Sequence, residues 1–193
     1  MLATVAAAIL IVAAIGVGEL LVSGKSEQGS TPDRIALPPF RGEFQDFSPA
    51  SLPQAAPDVA YLDEKGRRLQ LSGLQGEVVL VNFWATWCAP CVAEMAALDR
   101  LQAALKSDGL TVLALSQDRT GLAVVEPFYK KLELRALAMR FDSRGEAGRA
   151  FAIRELPVTI LIDRQGRELG RLSGPAAWDS AAAKALVKAA LIR

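Results

Sequence analysis

The stretch Phe83-Trp84-Ala85-Thr86-Trp87-Cys88-Ala89-Pro90-Cys91 follows an apolar run, precedes a helical one and contains the only two cysteines of the chain. A disulfide between residues so close in sequence closes a tiny loop and therefore stabilises the fold very little. The spacing is typical of a dithiol that is oxidised and reduced in turn. A thiol at the first turn of a helix lies near unpaired amides and the helix dipole, which favour the thiolate, the species that attacks disulfides.

Composition excludes several other kinds of chemistry. The 193 residues, of which 51% are hydrophobic, leave room for one domain plus appendages. Lysine and arginine number 22 against 21 acidic residues, so the net charge of +1 predicts no nucleic-acid partner. The absence of histidine excludes Ser–His and Cys–His catalysis, and two cysteines alone cannot form a structural zinc site. We therefore expect no metal.

Residues 1–22 predict a transmembrane anchor. They are apolar or small apart from Thr4 and Glu19, and about 20 helical residues span a bilayer core of roughly 30 Å. A cleaved secretory signal is the alternative, but the run exceeds the ~7–15 residues of a signal core and no clear A-x-A site follows. The charges do not support an N-terminus-in orientation, because the first basic residues follow the run: Lys25, Arg34 and Arg41.

Residues 23–57 are rich in Ser, Pro, Gly and Gln without a period and predict a tether. Phe40, Phe44 and Phe47 interrupt this composition and are candidates for docking on the domain that follows. The globular domain is predicted to occupy residues 58–193.

Strand and helix patterns alternate through this domain. Residues 77–85 form a continuous apolar run, as expected for a strand buried on both faces. The other predicted elements are strands at 59–62, 68–71, 110–116, 138–141, 158–163 and 168–172, and helices at 88–107, 122–132, 146–152 and 178–192. This order predicts an α/β fold with a parallel strand pair and a terminal antiparallel hairpin.

The chain from about residue 58 resembles the TlpA/ResA/CcmG-type thioredoxin-fold proteins, and within them is most similar to TlpA. The residues that carry the resemblance are 81–91, Glu94, 156–159 and 161–166. It implies a thioredoxin fold: a central mixed sheet flanked by helices, an N-terminal hairpin, and a helix-strand insertion at residues 118–140. It also implies a membrane-anchored, extracytoplasmic thiol-disulfide oxidoreductase of bacteria.

The position of each cysteine suggests its role. Cys88 at the helix start is the predicted nucleophile, and Cys91 is the resolving thiol that attacks the mixed disulfide. Ala89 and Pro90 shape the turn, since proline suits a first-turn helical position. Trp87 is expected to pack beside the thiols and cover part of the dithiol.

Two further site residues follow from the resemblance. Pro157, after Leu156, is expected to be the cis-proline that faces the dithiol and offers a strand edge to a substrate. Cytoplasmic thioredoxin carries a buried Asp and a Lys at positions matched here by Asn82 and Ala114, so proton transfer must use another group. Glu94 is the candidate, because it lies one helical turn after Cys91 on the same face. The alternative is a solvated surface glutamate.

The leading functional hypothesis is a reductase with no cofactor beyond the redox-active Cys88–Cys91 pair. Its expected partners are client proteins bearing disulfides, in cytochrome c maturation or oxidase copper-site assembly, and a membrane electron donor. Its expected location is the inner membrane, held by residues 1–22 in a single pass with the catalytic domain periplasmic. The alternatives are an oxidase or isomerase of exported proteins and a Cu(I)-binding chaperone, which the lack of histidine disfavours despite the nearby Met95. A peroxidase, with Thr86 two residues before Cys88, fits the spacing poorly.

Overall fold

A computed structural model describes residues 36–43 and 45–193. The predicted anchor, the first part of the predicted tether and Phe44 lie outside this range. Within the range, no helix has both the length and the apolarity that crossing a membrane requires.

Strands and helices alternate along the described chain largely as the patterns predict. The strands are β1 (Ser48–Ala55), β2 (Ala60–Asp63), β3 (Arg68–Gln70), β4 (Val78–Trp84), β5 (Leu110–Ser116), β6 (Arg140–Phe141), β7 (Val158–Ile162) and β8 (Arg167–Ser173). The helices are α1 (Ala89–Leu105), α2 (Leu122–Lys131), α3 (Glu146–Ala150) and α4 (Ala181–Leu191). The predicted insertion contributes α2 and β6.

One mixed sheet holds all of these strands in the order β1-β8-β7-β4-β5-β6-β2-β3. The pairs β4–β5 and β5–β6 are parallel, and the remaining pairs are antiparallel. This is the predicted thioredoxin fold, in which β2 and β3 form the expected N-terminal hairpin.

Strand β4 lies at the centre of the sheet, and every one of its residues is buried. Its side chains alternate between two apolar clusters, as the period of a strand requires. Val78, Leu80 and Trp84 pack on the face that α1 and α4 cover, while Val79, Val81 and Phe83 pack with α3 on the other. Asn82 therefore enters an apolar face beneath α1, and its end of the strand leads directly into the cysteine loop.

The predicted tether is corrected in its second half. Residues 48–55 form β1, which pairs with β8, and Phe40 and Phe47 are buried, at 4% and 6% exposed. An edge strand tolerates proline because one side of its backbone needs no hydrogen-bonded partner, so Pro49 and Pro53 do not prevent pairing. The described fold thus includes residues well before the predicted boundary at residue 58.

The start of the last helix is also corrected. The pattern predicts a helix from residue 178, whereas α4 begins at Ala181 after Ser180, whose Oγ accepts a hydrogen bond of 3.2 Å from the Ala183 N–H. A serine cap fixes the first turn, so the chain before it is free to take another conformation. Trp178 lies in that preceding loop, fully buried.

Candidate redox site

The two cysteines form a disulfide at the N-terminus of α1, with an S–S distance of 2.01 Å. Cys88 is the N-cap residue, and its Sγ accepts a hydrogen bond of 3.3 Å from the Cys91 N–H. Pro90 lies in the first turn of α1, where a backbone N–H would have no acceptor within the helix, so its absence removes no hydrogen bond. Cys88 keeps 6% of its surface exposed and Cys91 none, so a partner sulfur can reach only Cys88.

Asp118 holds the loop that leads into the cysteines. One carboxylate oxygen accepts hydrogen bonds from the Thr86 N–H and the Ser116 hydroxyl, both at 2.9 Å, and the other accepts from the Thr86 hydroxyl at 2.7 Å. Asp118 is 4% exposed, so these charge-assisted bonds are sheltered from water. The end of β5 therefore fixes the backbone two residues before Cys88.

The Leu156–Pro157 peptide bond is cis, as the resemblance implies. Leu156 lines a cleft of about 710 Å³ together with Cys88, Ala89 and Pro90. The lining also includes Ile153 and three charged residues, Arg149, Arg154 and Glu155. Cys88 thus lies in a cleft whose lining combines apolar residues with two arginines and one glutamate.

Trp87 lines this cleft together with Cys88, and that it covers part of the dithiol stays a prediction. It is 71% exposed, so most of its ring surface contacts nothing. Both cysteines belong to the core cluster, which buries them from the inner side.

Glu94 is buried beneath α1, at 2% exposed. Its Oε1 accepts a hydrogen bond of 2.8 Å from the Asn82 side-chain amide. Its Oε2 accepts one of 2.7 Å from the Trp178 indole N–H and one of 3.0 Å from the Ala176 backbone N–H. The solvated alternative for this residue is therefore wrong.

Burial raises the pKa of the Glu94 carboxyl from 4.5 to about 7. The three hydrogen bonds to its oxygens lower the pKa, and the charge of Glu43 raises it, both less than burial does. A carboxyl with this pKa is partly protonated at neutral pH and can both take and give a proton there.

Asn82 links Glu94 to the strand that follows Pro157. Its amide nitrogen donates to Glu94 and, at 2.9 Å, to the Thr159 hydroxyl. Asn82 and Thr159 are partners in the β4–β7 register. On the other side Asn82 is the register partner of Ala114. The two positions that differ from cytoplasmic thioredoxin therefore lie side by side, and Asn82 binds the Glu94 carboxyl.

The patterns alone did not identify three contributors to the site. Asp118 belongs to no motif, and the sequence pattern places Trp178 in the last helix. The backbone N–H of Ala176 carries no side-chain signal at all. Trp178 is 84 residues from Glu94 in sequence, and no local period connects two such positions.

Comparison with known proteins agrees with this geometry. The AhpC/TSA family matches residues 52–167. The thiol-disulfide oxidoreductase ResA of Bacillus cereus (strain ATCC 10987 / NRS 248) is 30% identical over 135 residues, which are 70% of this chain and 77% of that protein. A crystal structure assigned as the thiol:disulfide interchange protein DsbE of Chlorobium tepidum is 31% identical, with a TM-score of 0.64, covering 72% of this chain and 96% of that one. A second thiol:disulfide interchange protein from Chlorobium tepidum TLS is 28% identical, with a TM-score of 0.61.

A thioredoxin fold with a Cys-x-x-Cys disulfide at a helix start defines the class of thiol-disulfide oxidoreductases, and this protein is one of them. The chain belongs to the AhpC/TSA family and within it fits the ResA/CcmG/TlpA type. The finer similarity to TlpA stays a prediction.

Proposed function

We propose that the protein is a membrane-anchored, extracytoplasmic reductase of client-protein disulfides. The observation that carries the proposal is the asymmetry of the site. One sulfur, Cys88, is accessible from a cleft, and the other, Cys91, is enclosed together with a carboxyl whose pKa burial raises to about 7.

In the first step of the proposed reaction the Cys88 thiolate attacks one sulfur of a client disulfide. A bond forms between Cys88 and that sulfur, the client S–S bond breaks, and the second client sulfur leaves as a thiolate that takes up a proton. The Cys91 N–H, which points at Cys88 Sγ, stabilises the thiolate before the attack. The cleft beside Leu156 receives the client segment.

In the second step Cys91 loses its proton to the Glu94 carboxylate and attacks Cys88. The Cys88–Cys91 bond forms, the mixed disulfide breaks, and the remaining client sulfur leaves and is protonated. Two electrons have passed from the dithiol to the client. Because Cys91 is fully buried, bulk water cannot take its thiol proton directly, which supports the buried Glu94 carboxyl as the proton acceptor.

The proposal also covers the client proteins and the source of the electrons that reduce the Cys88–Cys91 disulfide again. The clients are disulfide-bearing proteins of cytochrome c maturation or oxidase copper-site assembly, and a membrane electron donor returns two electrons to the Cys88–Cys91 disulfide. The support is the family resemblance and the apolar segment at residues 1–22.

A redox titration tests the direction of exchange. We expect the full-length protein to equilibrate near the potential of thioredoxin, about −270 mV, because a reductase must hold its electrons weakly. A value near that of DsbA, about −120 mV, would favour the oxidase alternative instead. Cu(I) titration of the reduced protein tests the chaperone alternative, which requires tight binding that Cys88→Ser abolishes.

Protease treatment of intact spheroplasts tests the location. We expect the domain to be cleaved from outside and residues 1–22 to stay with the membrane fraction. Protection of the domain in intact spheroplasts, with cleavage only after lysis, would place it inside and remove the proposed clients.

A further inference from the structure

The chain before β1 packs against the loop that binds Glu94. We call residues 37–43 and 45–47 the N-terminal strap, and residues 173–178 the glutamate loop. The Glu43 N–H donates to the Pro175 carbonyl at 3.0 Å, and the Gln45 side-chain amide donates to the Ser173 carbonyl at 3.0 Å. Two hydrogen bonds thus attach the strap to both ends of the stretch 173–175.

An aromatic contact continues this attachment to the carboxyl. The Phe40 ring lies 5.0 Å from the Trp178 ring, centroid to centroid, and both side chains are buried. The Trp178 indole N–H in turn donates to Glu94 Oε2 at 2.7 Å. One ring of the strap is therefore a single side chain away from the buried acid.

The strap has its own fixed shape. The Phe47 N–H donates to the Phe40 carbonyl at 2.7 Å, and the Gly42 N–H donates to the Gln45 carbonyl at 2.9 Å, so the segment folds back on itself. The glutamate loop is attached at its other side as well, since the Gly174 N–H donates to the Pro157 carbonyl at 2.8 Å. The loop connects the strap, the edge of the cleft and Glu94.

We infer that the N-terminal strap is a positioning element of the redox site, which holds the glutamate loop so that the N–H groups of Ala176 and Trp178 meet Glu94 Oε2. The inference rests on the proposed function for the role of Glu94 in exchange. The strap reaches Glu94 by two routes: its contacts with the glutamate loop, and the charge of Glu43.

The polar and charged groups around Glu94 determine how the strap can alter the pKa of its carboxyl. The described partners of its oxygens are the neutral Asn82 from β4 and, from the glutamate loop, Trp178 and the Ala176 N–H; on α1 itself, Cys91 precedes it by three positions. The strap contributes Glu43, whose charge raises the pKa of Glu94. The strap therefore acts by holding the Trp178 donor in place through Phe40 and by placing a like charge nearby.

Two pairs of variants of the full-length protein test this inference. Phe40→Leu removes the ring on Trp178, and Phe128→Leu is its control, because the Phe128 ring lies 5.2 Å from the ring of another buried tryptophan, Trp84. Glu43→Gln removes the like charge. Its control is Asp46→Asn, an exposed carboxylate of the same strap that does not contribute to the pKa of Glu94.

The readouts are the titration of the Glu94 carboxyl by ¹³C NMR in the oxidised protein, with Glu94→Gln to assign the signal, and hydrogen exchange of the Trp178 indole. We expect Glu43→Gln to lower the Glu94 midpoint, since a like charge is lost, and Phe40→Leu to raise it, since the loosened loop weakens the N–H bonds that favour the carboxylate. Phe40→Leu should also speed indole exchange by about tenfold or more. Both controls should match the wild type.

A Glu94 midpoint and indole exchange that stay at wild-type values in Phe40→Leu and Glu43→Gln would overturn the inference. The proposed function fails differently. If the midpoint moves but the pH profile of disulfide exchange does not follow it, positioning by the strap stands and the proton-transfer role of Glu94 falls.

Discussion

Cys88 and Cys91 are joined by one bond yet differ in what they can do. Cys88 caps α1 and meets the cleft, whereas Cys91 lies inside the helix and inside the core. The same turn of helix therefore supplies an accessible sulfur and an enclosed one. Thiol-disulfide exchange needs this division, because the resolving thiol must wait until the mixed disulfide has formed.

Substitution of the two cysteines should have opposite consequences. We expect Cys88→Ser to abolish reduction of insulin disulfides, and Cys91→Ser to accumulate a covalent adduct with the partner, because the first step survives and the second cannot occur. Mass spectrometry of the adduct and a turbidity assay measure these outcomes. Turnover by Cys88→Ser, or faster alkylation of Cys91 than of Cys88 in the reduced protein, would reverse the assignment.

Glu94 should control the pH dependence of exchange. With a pKa of about 7 the carboxyl becomes ionised as pH rises through neutrality, and only the ionised form accepts the Cys91 proton. The wild-type rate of mixed-disulfide resolution should therefore rise with pH through about 7. Glu94→Gln should lack that rise and be slower at neutral pH by on the order of 10².

Stopped-flow measurement of resolution across pH 5–9 measures this effect. Glu126→Gln is the matched control, since Glu126 is 45% exposed on α2 and pairs with Lys130 at 2.8 Å. An unchanged profile in Glu94→Gln would remove the carboxyl from the reaction.

At the scale of elements, the end of β5 supports the cysteine loop through Asp118. Asp118→Ala should leave the Thr86 N–H and hydroxyl without their acceptor, and each buried unsatisfied group costs about 1–3 kcal/mol. We expect a loss of stability of about 2–4 kcal/mol and slower exchange. Urea unfolding and insulin reduction measure the two effects.

Asp108→Ala, at an exposed carboxylate after α1, is the control for Asp118→Ala and should match the wild type in both assays. An Asp118→Ala protein with wild-type stability and rate would show that the loop holds its shape without the carboxylate.

Close approach of β1 and the strap to β8 depends on Gly170. A Cβ atom there would lie 2.5 Å from the Ser48 carbonyl and 2.6 Å from the Phe47 ring, and the φ angle of +156° is one that side chains rarely adopt. Gly170→Ala should therefore destabilise the domain by about 1–3 kcal/mol. Gly73→Ala, with nothing within 4 Å of its added Cβ, is the control for urea unfolding. Equal stability of the two variants would show that β1 can move to accommodate the added methyl group without a loss of unfolding free energy.

For the whole molecule, the buried carboxyl makes stability depend on pH. Glu94 keeps its proton in the folded state up to about pH 7 but loses it near pH 4.5 when unfolded. The unfolded state therefore binds fewer protons in this window, so stability falls as pH rises from about 4.5 to 7. The difference in pKa corresponds to about 3 kcal/mol.

Urea unfolding of the oxidised protein at pH 4.5, 6 and 8 measures this slope. Glu94→Gln should flatten it, and Glu126→Gln should keep it. A wild-type slope in Glu94→Gln would show that other groups cause the pH dependence.

Local patterns were enough for most elements. The continuous apolar run predicted β4, and the Cys-x-x-Cys spacing with Pro90 placed the dithiol at the helix start. Gly109 marked the end of the short 3-10 turn, Lys106–Asp108, that follows α1. These signals work because burial on both faces of a strand, or the end of a helix, constrains residues that are neighbours in sequence. The patterns did not predict the edge strand β1, because most of its residues are exposed and show no apolar–polar alternation.

The sequence by itself determined the thioredoxin-type fold, the reactive cysteine pair and Glu94 as a candidate acid. Only the tertiary structure decided what surrounds that acid, because its partners come from three other parts of the chain: Asn82 on β4, the loop with Ala176 and Trp178, and the strap with Phe40 and Glu43. The physical reason is that a pKa is set by burial and by neighbours in space. Those neighbours are brought together by packing across the sheet, which no local spacing records.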